Sequence, residues 1–134
     1  SVAMAYYLFR ALQKAGLYEE TDREWDLWRN MVKKNLTTCV EDGVNERSDC
    51  HAWGALALYE LPAIVLGVHP EEPGYETIGI APVEGCFTWA KGEVATKWGM
   101  VKVDWKKENG KLRLDYQAPE GVKVRVCPSG NRQG

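Results

Sequence analysis

The chain has 134 residues, of which 45% are hydrophobic and 27% charged, and its 17 basic and 19 acidic side chains leave a net charge of −2. A polypeptide of this size and apolar content buries roughly two-thirds of its unfolded surface, which excludes extensive disorder. No run of Lys and Arg is long enough to neutralise a row of phosphates, so no nucleic acid partner is expected; the longest apolar run, Leu61–Val68, is far short of the ~20 residues that span a bilayer, so no membrane is expected either.

Met4, Tyr7, Leu8, Ala11, Leu12 and Ala15 recur at helical spacing and predict a first helix over Ala3–Ala15, with Gly16 as its stop. Thr21 and Glu24 form a capping-box pattern ahead of a second helix. Its Trp25, Trp28, Val32 and Leu36 share one face, and Arg29, Lys33 and Lys34 take the other. A polar stretch, TTCVEDGVNERSDCHAWG, runs from Thr37 to Gly54. Ser48 or Asp49 then caps a third helix from His51 to Leu66, apolar almost all round, in which Pro62 predicts a kink or a meeting of two shorter helices. Two helices cannot cover a third that is apolar around its circumference. The sequence is also in helical register from its first residues, and both features lead us to expect the C-terminal end of something larger.

After Gly67 the pattern changes. His69, Pro70, Pro73 and Gly74 read as a connector, and beyond it the apolar period is two. Val101, Val103 and Trp105 alternate with Lys102, Asp104 and Lys106; Leu112, Leu114 and Tyr116 alternate with Lys111, Arg113 and Asp115; Val122, Val124 and Val126 follow. Asn109-Gly110 predicts a tight hairpin and Pro119-Glu120-Gly121 the next turn. With Thr77–Ala81 and Phe87–Thr96, about five antiparallel strands are expected, ahead of a polar tail. Trp105 has the inward parity of Val101 and Val103, whereas Trp89 and Trp98 could offer a surface for stacking sugars. Cys39, Cys50, Cys86 and Cys127 include no C-x-x-C pair, and two histidines are too few for an ordinary zinc set, so no metal site is expected. The even count permits two disulfides, against the commoner use of cysteine as a small buried hydrophobe, which the reading favours.

TTCVE, then RSDCHAW leading into an apolar helix, then VLGVHPEEPGYETIGIAPV, closely resemble the C-terminal region of bacterial α-L-rhamnosidases, glycoside hydrolase family 78. The likeness runs from the first helix to the last strand. It implies an α+β chain: the last helices of an (α/α)₆ catalytic barrel over 1–68, a small antiparallel β-sandwich over 69–128, and a flexible tail over 129–134. It further implies an inverting glycosidase acting on terminal α-L-rhamnosides without metal or cofactor, in which one carboxylic acid protonates the leaving oxygen and a carboxylate activates water.

The motif puts the general base on Glu41 and a sugar-binding histidine on His51. The general acid and the groups that grip rhamnose would lie in the upstream part of the barrel, so the isolated chain should be inactive. Rhamnose-containing glycosides or polysaccharides and that upstream part are the implied partners, in the cytoplasm or periplasm of a bacterium. Val40 departs from the tryptophan that often precedes the family's glutamate. Asp42 and Glu46 read as solvated loop charges, Ser48 and Asp49 as caps, Arg47 as a possible partner of Asp49 or Glu41, and Trp53 as core. The rival reading is a non-catalytic carbohydrate-binding or structural β-sandwich module with a helical docking segment.

Overall fold

The computed structural model describes residues 2–44 and 48–127, so Glu46, Arg47 and the tail 129–134 lie outside the described residues. The chain forms two compact units, Ser1–Tyr59 and Glu60–Gly134. The change of sequence texture at Gly67 thus falls inside the second unit.

In the first unit a 3₁₀ turn, Val2–Met4, leads into helix α1, Ala5–Ala15. Gly16 ends it in the left-handed conformation, φ 73°, its amide reaching Gln13 O at 3.1 Å while Leu17 N reaches Leu12 O at 2.9 Å. This doubly bonded stop needs a residue without a Cβ penalty. The expected apolar stripe is not the covered side: Met4, Tyr7 and Leu8 are exposed, whereas Phe9 is fully buried. The Phe9 ring meets Tyr18, Trp25 and Trp28 edge-on at 6.0, 5.3 and 6.2 Å, an aromatic core favoured by ring quadrupoles.

The second helix begins later than its capping box suggests. Tyr18–Arg23 is 3₁₀ and helix α2 is Asp26–Lys33. The Thr21 hydroxyl bonds back to Tyr18 O at 2.7 Å instead of capping a helix, the local competition that makes Thr a poor helix-interior residue. Arg29 clamps the junction, its guanidinium 2.6 Å from Asp22 Oδ1 and 2.9 Å from Asp26 Oδ1. Those hydrogen bonds, Asp22 first, hold it above its ordinary pKa. After the polar stretch come a 3₁₀ segment, Ala52–Leu56, and a single turn, α3, Ala57–Tyr59. Trp53, expected in the core, is 53% exposed.

The second unit starts with a π-helical segment, Glu60–Val65. Leu66 N reaches back five residues to Leu61 O at 2.8 Å, the wide ladder that accommodates Pro62, whose missing N–H breaks the α-helical one. The expected disruption at Pro62 is therefore a change of helix type. Glu60, in this segment, is fully buried, a feature the sequence reading did not single out. Gly67 turns the chain at φ 87°, where a Cβ would run into the Ala81–Pro82 peptide.

Six strands follow, in two three-stranded sheets: β1 (Val68–Pro70), β2 (Thr77–Ile80), β3 (Trp89–Thr96), β4 (Gly99–Glu108), β5 (Lys111–Gln117) and β6 (Lys123–Val126). One sheet has the order β1-β2-β6, the other β3-β4-β5. The pairing is antiparallel except between β2 and β6, which run parallel from Thr77/Lys123 to Ile80/Val126; the purely antiparallel expectation is corrected there. Alternation says that a segment is a strand but not which neighbour it takes.

Along β4, Val101, Val103 and Trp105 are buried and the residues between them exposed. The Trp105 indole donates to Val65 O at 2.9 Å, tying the π-helical segment to this sheet. On the exposed face, the directly paired Lys91–Asp104 and Glu93–Lys102 form ion pairs of 3.0 and 2.9 Å, the opposite-charge pairing that favours one register. Ile64, Val65, Val68, Ile78 and Ile80 complete the unit's core. The chain is thus α+β: short helical segments followed by two small sheets.

Candidate functional site

The polar stretch folds back on itself beside the helices of the first unit. Glu41 N donates to Ser48 O at 2.9 Å and His51 N to Cys39 O at 2.8 Å, so the segments carrying TTCVE and SDCHAW lie side by side. The Thr38 hydroxyl adds a bond to Asp49 O. Ser48 and Asp49 therefore contribute their carbonyls to this pairing and do not cap a helix; the residue ahead of Ala52–Leu56 is His51, in an extended conformation and with no side-chain cap. Asp42 accepts from Val44 N at 2.8 Å, a local turn bond.

This pairing brings the two motif residues together. His51 Nδ1 lies 3.9 Å from Glu41 Oε2, too long for a direct hydrogen bond. Glu41 is 9% exposed, following Val40 at 2%. The His51 ring is half-buried and meets Trp53 edge-on at 4.7 Å. A buried carboxylate beside an imidazole can accept a proton from water, and a ring N–H can donate to a hydroxyl.

Two residues overlooked in the sequence fix this geometry. Gly54 is buried, and a Cβ on it would overlap the Val40 carbonyl and come within 2.8 Å of Cys39 Cβ. Trp28, on α2, donates its indole N–H to Gly54 O at 2.7 Å. A glycine inside a predicted apolar helix is the available signal of such a close approach.

Next to Asp42, an open cleft of about 550 Å³ is lined by residues including Val2, Met4, Tyr7, Trp28 and Asp42, but not by Glu41 or His51. All four cysteines are free thiols, Cys50 exposed and the others half-buried. Among the described residues, no three His, Cys, Asp or Glu side chains gather as metal ligands, and no helix is long and apolar enough to cross a membrane.

A family model described as the bacterial α-L-rhamnosidase C-terminal domain matches residues 67–134. Among solved structures, a family 78 rhamnosidase of Bacillus sp. GL1 is 33% identical over 97% of this chain, with a TM-score of 0.80. The α-L-rhamnosidase of Dictyoglumus thermophilum is 20% identical over 94% of this chain (TM-score 0.76), and that of Streptomyces avermitilis, complexed with L-rhamnose, 23% over 89% (TM-score 0.70). These last two attest to the fold alone. The chain spans 15%, 16% and 13% of those three proteins respectively. No curated protein sequence matches significantly. With a family model covering half its length and a relative one-third identical along nearly all of it, the chain belongs to the family of the bacterial α-L-rhamnosidase C-terminal domain and corresponds to the C-terminal region of family 78 rhamnosidases.

Proposed function

We propose that the chain completes the catalytic site of an inverting α-L-rhamnosidase, with Glu41 as the general base and His51 as a hydrogen-bonding contact to the sugar. In this reading residues 1–68 belong to the last helices of an (α/α)₆ barrel, 69–128 form a β-sandwich, and the remainder of the barrel supplies the general acid and most of the sugar pocket. The substrates are terminal rhamnosides of glycosides or polysaccharides. Water attacks the anomeric carbon as Glu41 takes its proton, while the acid, about 6.5–9.5 Å away, protonates the leaving oxygen. No metal or cofactor takes part. Alone, the chain lacks the acid and is inactive.

The observation that carries the proposal is the convergence of Glu41 and His51, ten positions apart in sequence, to 3.9 Å on two paired segments. The bland alternative, a loop carboxylate turned to solvent, does not fit a side chain this buried. The test is Glu41→Gln in the complete enzyme, assayed on an aryl α-L-rhamnoside with the product anomer followed by NMR. The expected result is a kcat lower by about 10²–10⁴-fold with folding intact, and an inverted anomer from the parent.

A second reading, a non-catalytic carbohydrate-binding module, draws on Trp89 and Trp98, which are 63% and 49% exposed, whereas Trp105 is buried. It predicts that Glu41→Gln leaves every property unchanged and that alanine at Trp89 and Trp98 abolishes glycan retention. Turnover undiminished in Glu41→Gln would overturn the catalytic reading in favour of this one.

A further inference from the structure

The indole N–H of Trp28 has a partner 26 residues away in sequence, and that partner leads directly to Glu41. Gly54, whose carbonyl accepts this bond at 2.7 Å, lies flush against the Cys39–Val40 backbone, where no side chain fits. Val40 is buried, and the next residue is Glu41. Two further bonds clamp the same segment, His51 N to Cys39 O at 2.8 Å and Glu41 N to Ser48 O at 2.9 Å.

We propose that Trp28 is a positioning residue: through Gly54 it sets the backbone of Val40 and Glu41, and thereby the aim of the Glu41 carboxylate at the attacking water. This deepens the catalytic reading and rests on it.

Packing alone does not account for an indole at this position. The Trp28 ring sits 6.2 Å from Phe9 and 5.4 Å from Trp25, contacts that a ring of the same shape without an N–H would also make. What such a ring cannot supply is the donor. Without it, the buried Gly54 carbonyl loses a partner and the surface beneath Val40 is free to shift. A displacement of a fraction of an ångström at a general base is felt in the chemical step, not in ground-state binding. The strut therefore predicts an effect on kcat with little effect on KM.

The experiment replaces Trp28 in the complete enzyme by Phe, by β-(3-benzothienyl)alanine, which has the indole shape without the N–H, and by 7-azatryptophan, which retains it. Each is assayed on an aryl α-L-rhamnoside, with near-UV circular dichroism and melting temperature recorded alongside. The two variants without a donor should lose about tenfold in kcat with KM within about twofold of the parent, and 7-azatryptophan should restore kcat. Gly54→Ala, which pushes directly on the Val40 carbonyl, should lose about 10²-fold.

An unchanged kcat in the benzothienyl variant overturns the proposal. So does a loss of activity that tracks a loss of native signal equally in all three replacements. Failure of the underlying reading looks different: Glu41→Gln itself would then retain turnover, whereas failure of the strut alone leaves Glu41→Gln inactive and the benzothienyl variant normal.

Discussion

The two units solve the problem of covering apolar side chains differently. In the sheet unit the apolar positions of β4 alternate inward, and Val101, Val103 and Trp105 are buried against neighbours that the same unit supplies. In the helical unit a small aromatic core around Phe9 is complete, yet Met4, Tyr7, Val32, Trp53 and Leu58 are 62%, 65%, 76%, 53% and 75% exposed. Its helical segments are also short and broken, with 3₁₀ turns on either side of α1 and before α2 and α3. Short helices draw their stability from tertiary packing, so a unit of short, broken helices with this many exposed apolar side chains should be the softer of the two. The difference teaches that hydrophobic periodicity identifies a face but not whether the same chain covers it.

The largest effect expected in this comparison is at Trp105. The side chain is fully buried and its indole bonds to Val65 O, so Trp105→Ala removes both a large apolar volume and the donor for a buried carbonyl. A loss of about 3–5 kcal/mol is expected, read as a drop in the urea midpoint of the sheet unit and in the hydrogen-exchange protection of β4 amides. Protection in α1 and α2 as high as in β4 of the parent would break the comparison.

A smaller effect is expected at the β4–β5 hairpin. Asn109 and Gly110 both have positive φ, 51° and 73°, between the paired residues Glu108 and Lys111. Two consecutive left-handed residues are what a two-residue turn of matching twist requires. Gly110→Ala should cost about 1–2 kcal/mol through the left-handed strain, with no Cβ clash to add to it, because nothing lies within 4 Å of that position. A loss several times larger would show that the turn does more than close the hairpin.

Much of the sheet unit could be read in advance because its signals are local. Alternation gave the inward parity of Val101, Val103 and Trp105, and Asn109-Gly110 announced its turn. The strand Val68–Pro70 was not legible, being three residues long and ending in proline, nor was the parallel pairing of β2 with β6, which depends on a partner more than forty residues away. In the helical unit the competing interactions were invisible to pattern: Thr21 bonds back to Tyr18 O, and the covered side of α1 is that of Phe9 rather than of Tyr7 and Leu8. Glu41 and His51 were found through a family likeness and not through periodicity. The bond from Trp28 to Gly54 joins two elements by one side-chain donor, and no local rule points to it.

The smallest effect sharpens the contrast most. Tyr7→Ser and Val32→Ser remove apolar side chains that water already reaches, so in this chain each should change stability by no more than about 0.5 kcal/mol. If further helices cover those positions in the complete enzyme, as the proposed barrel requires, the same substitutions there forfeit burial worth about 1.5–3 kcal/mol per side chain. The measurement is a pair of denaturation midpoints for each variant, one in this chain and one in the complete enzyme. Equal small shifts in both would mean that the face stays open to solvent and that the exposed apolar residues of α1 and α2 are not a barrel interface. A shift confined to the complete enzyme would identify the uncovered face of the helical unit as the surface on which the rest of the catalytic domain is built.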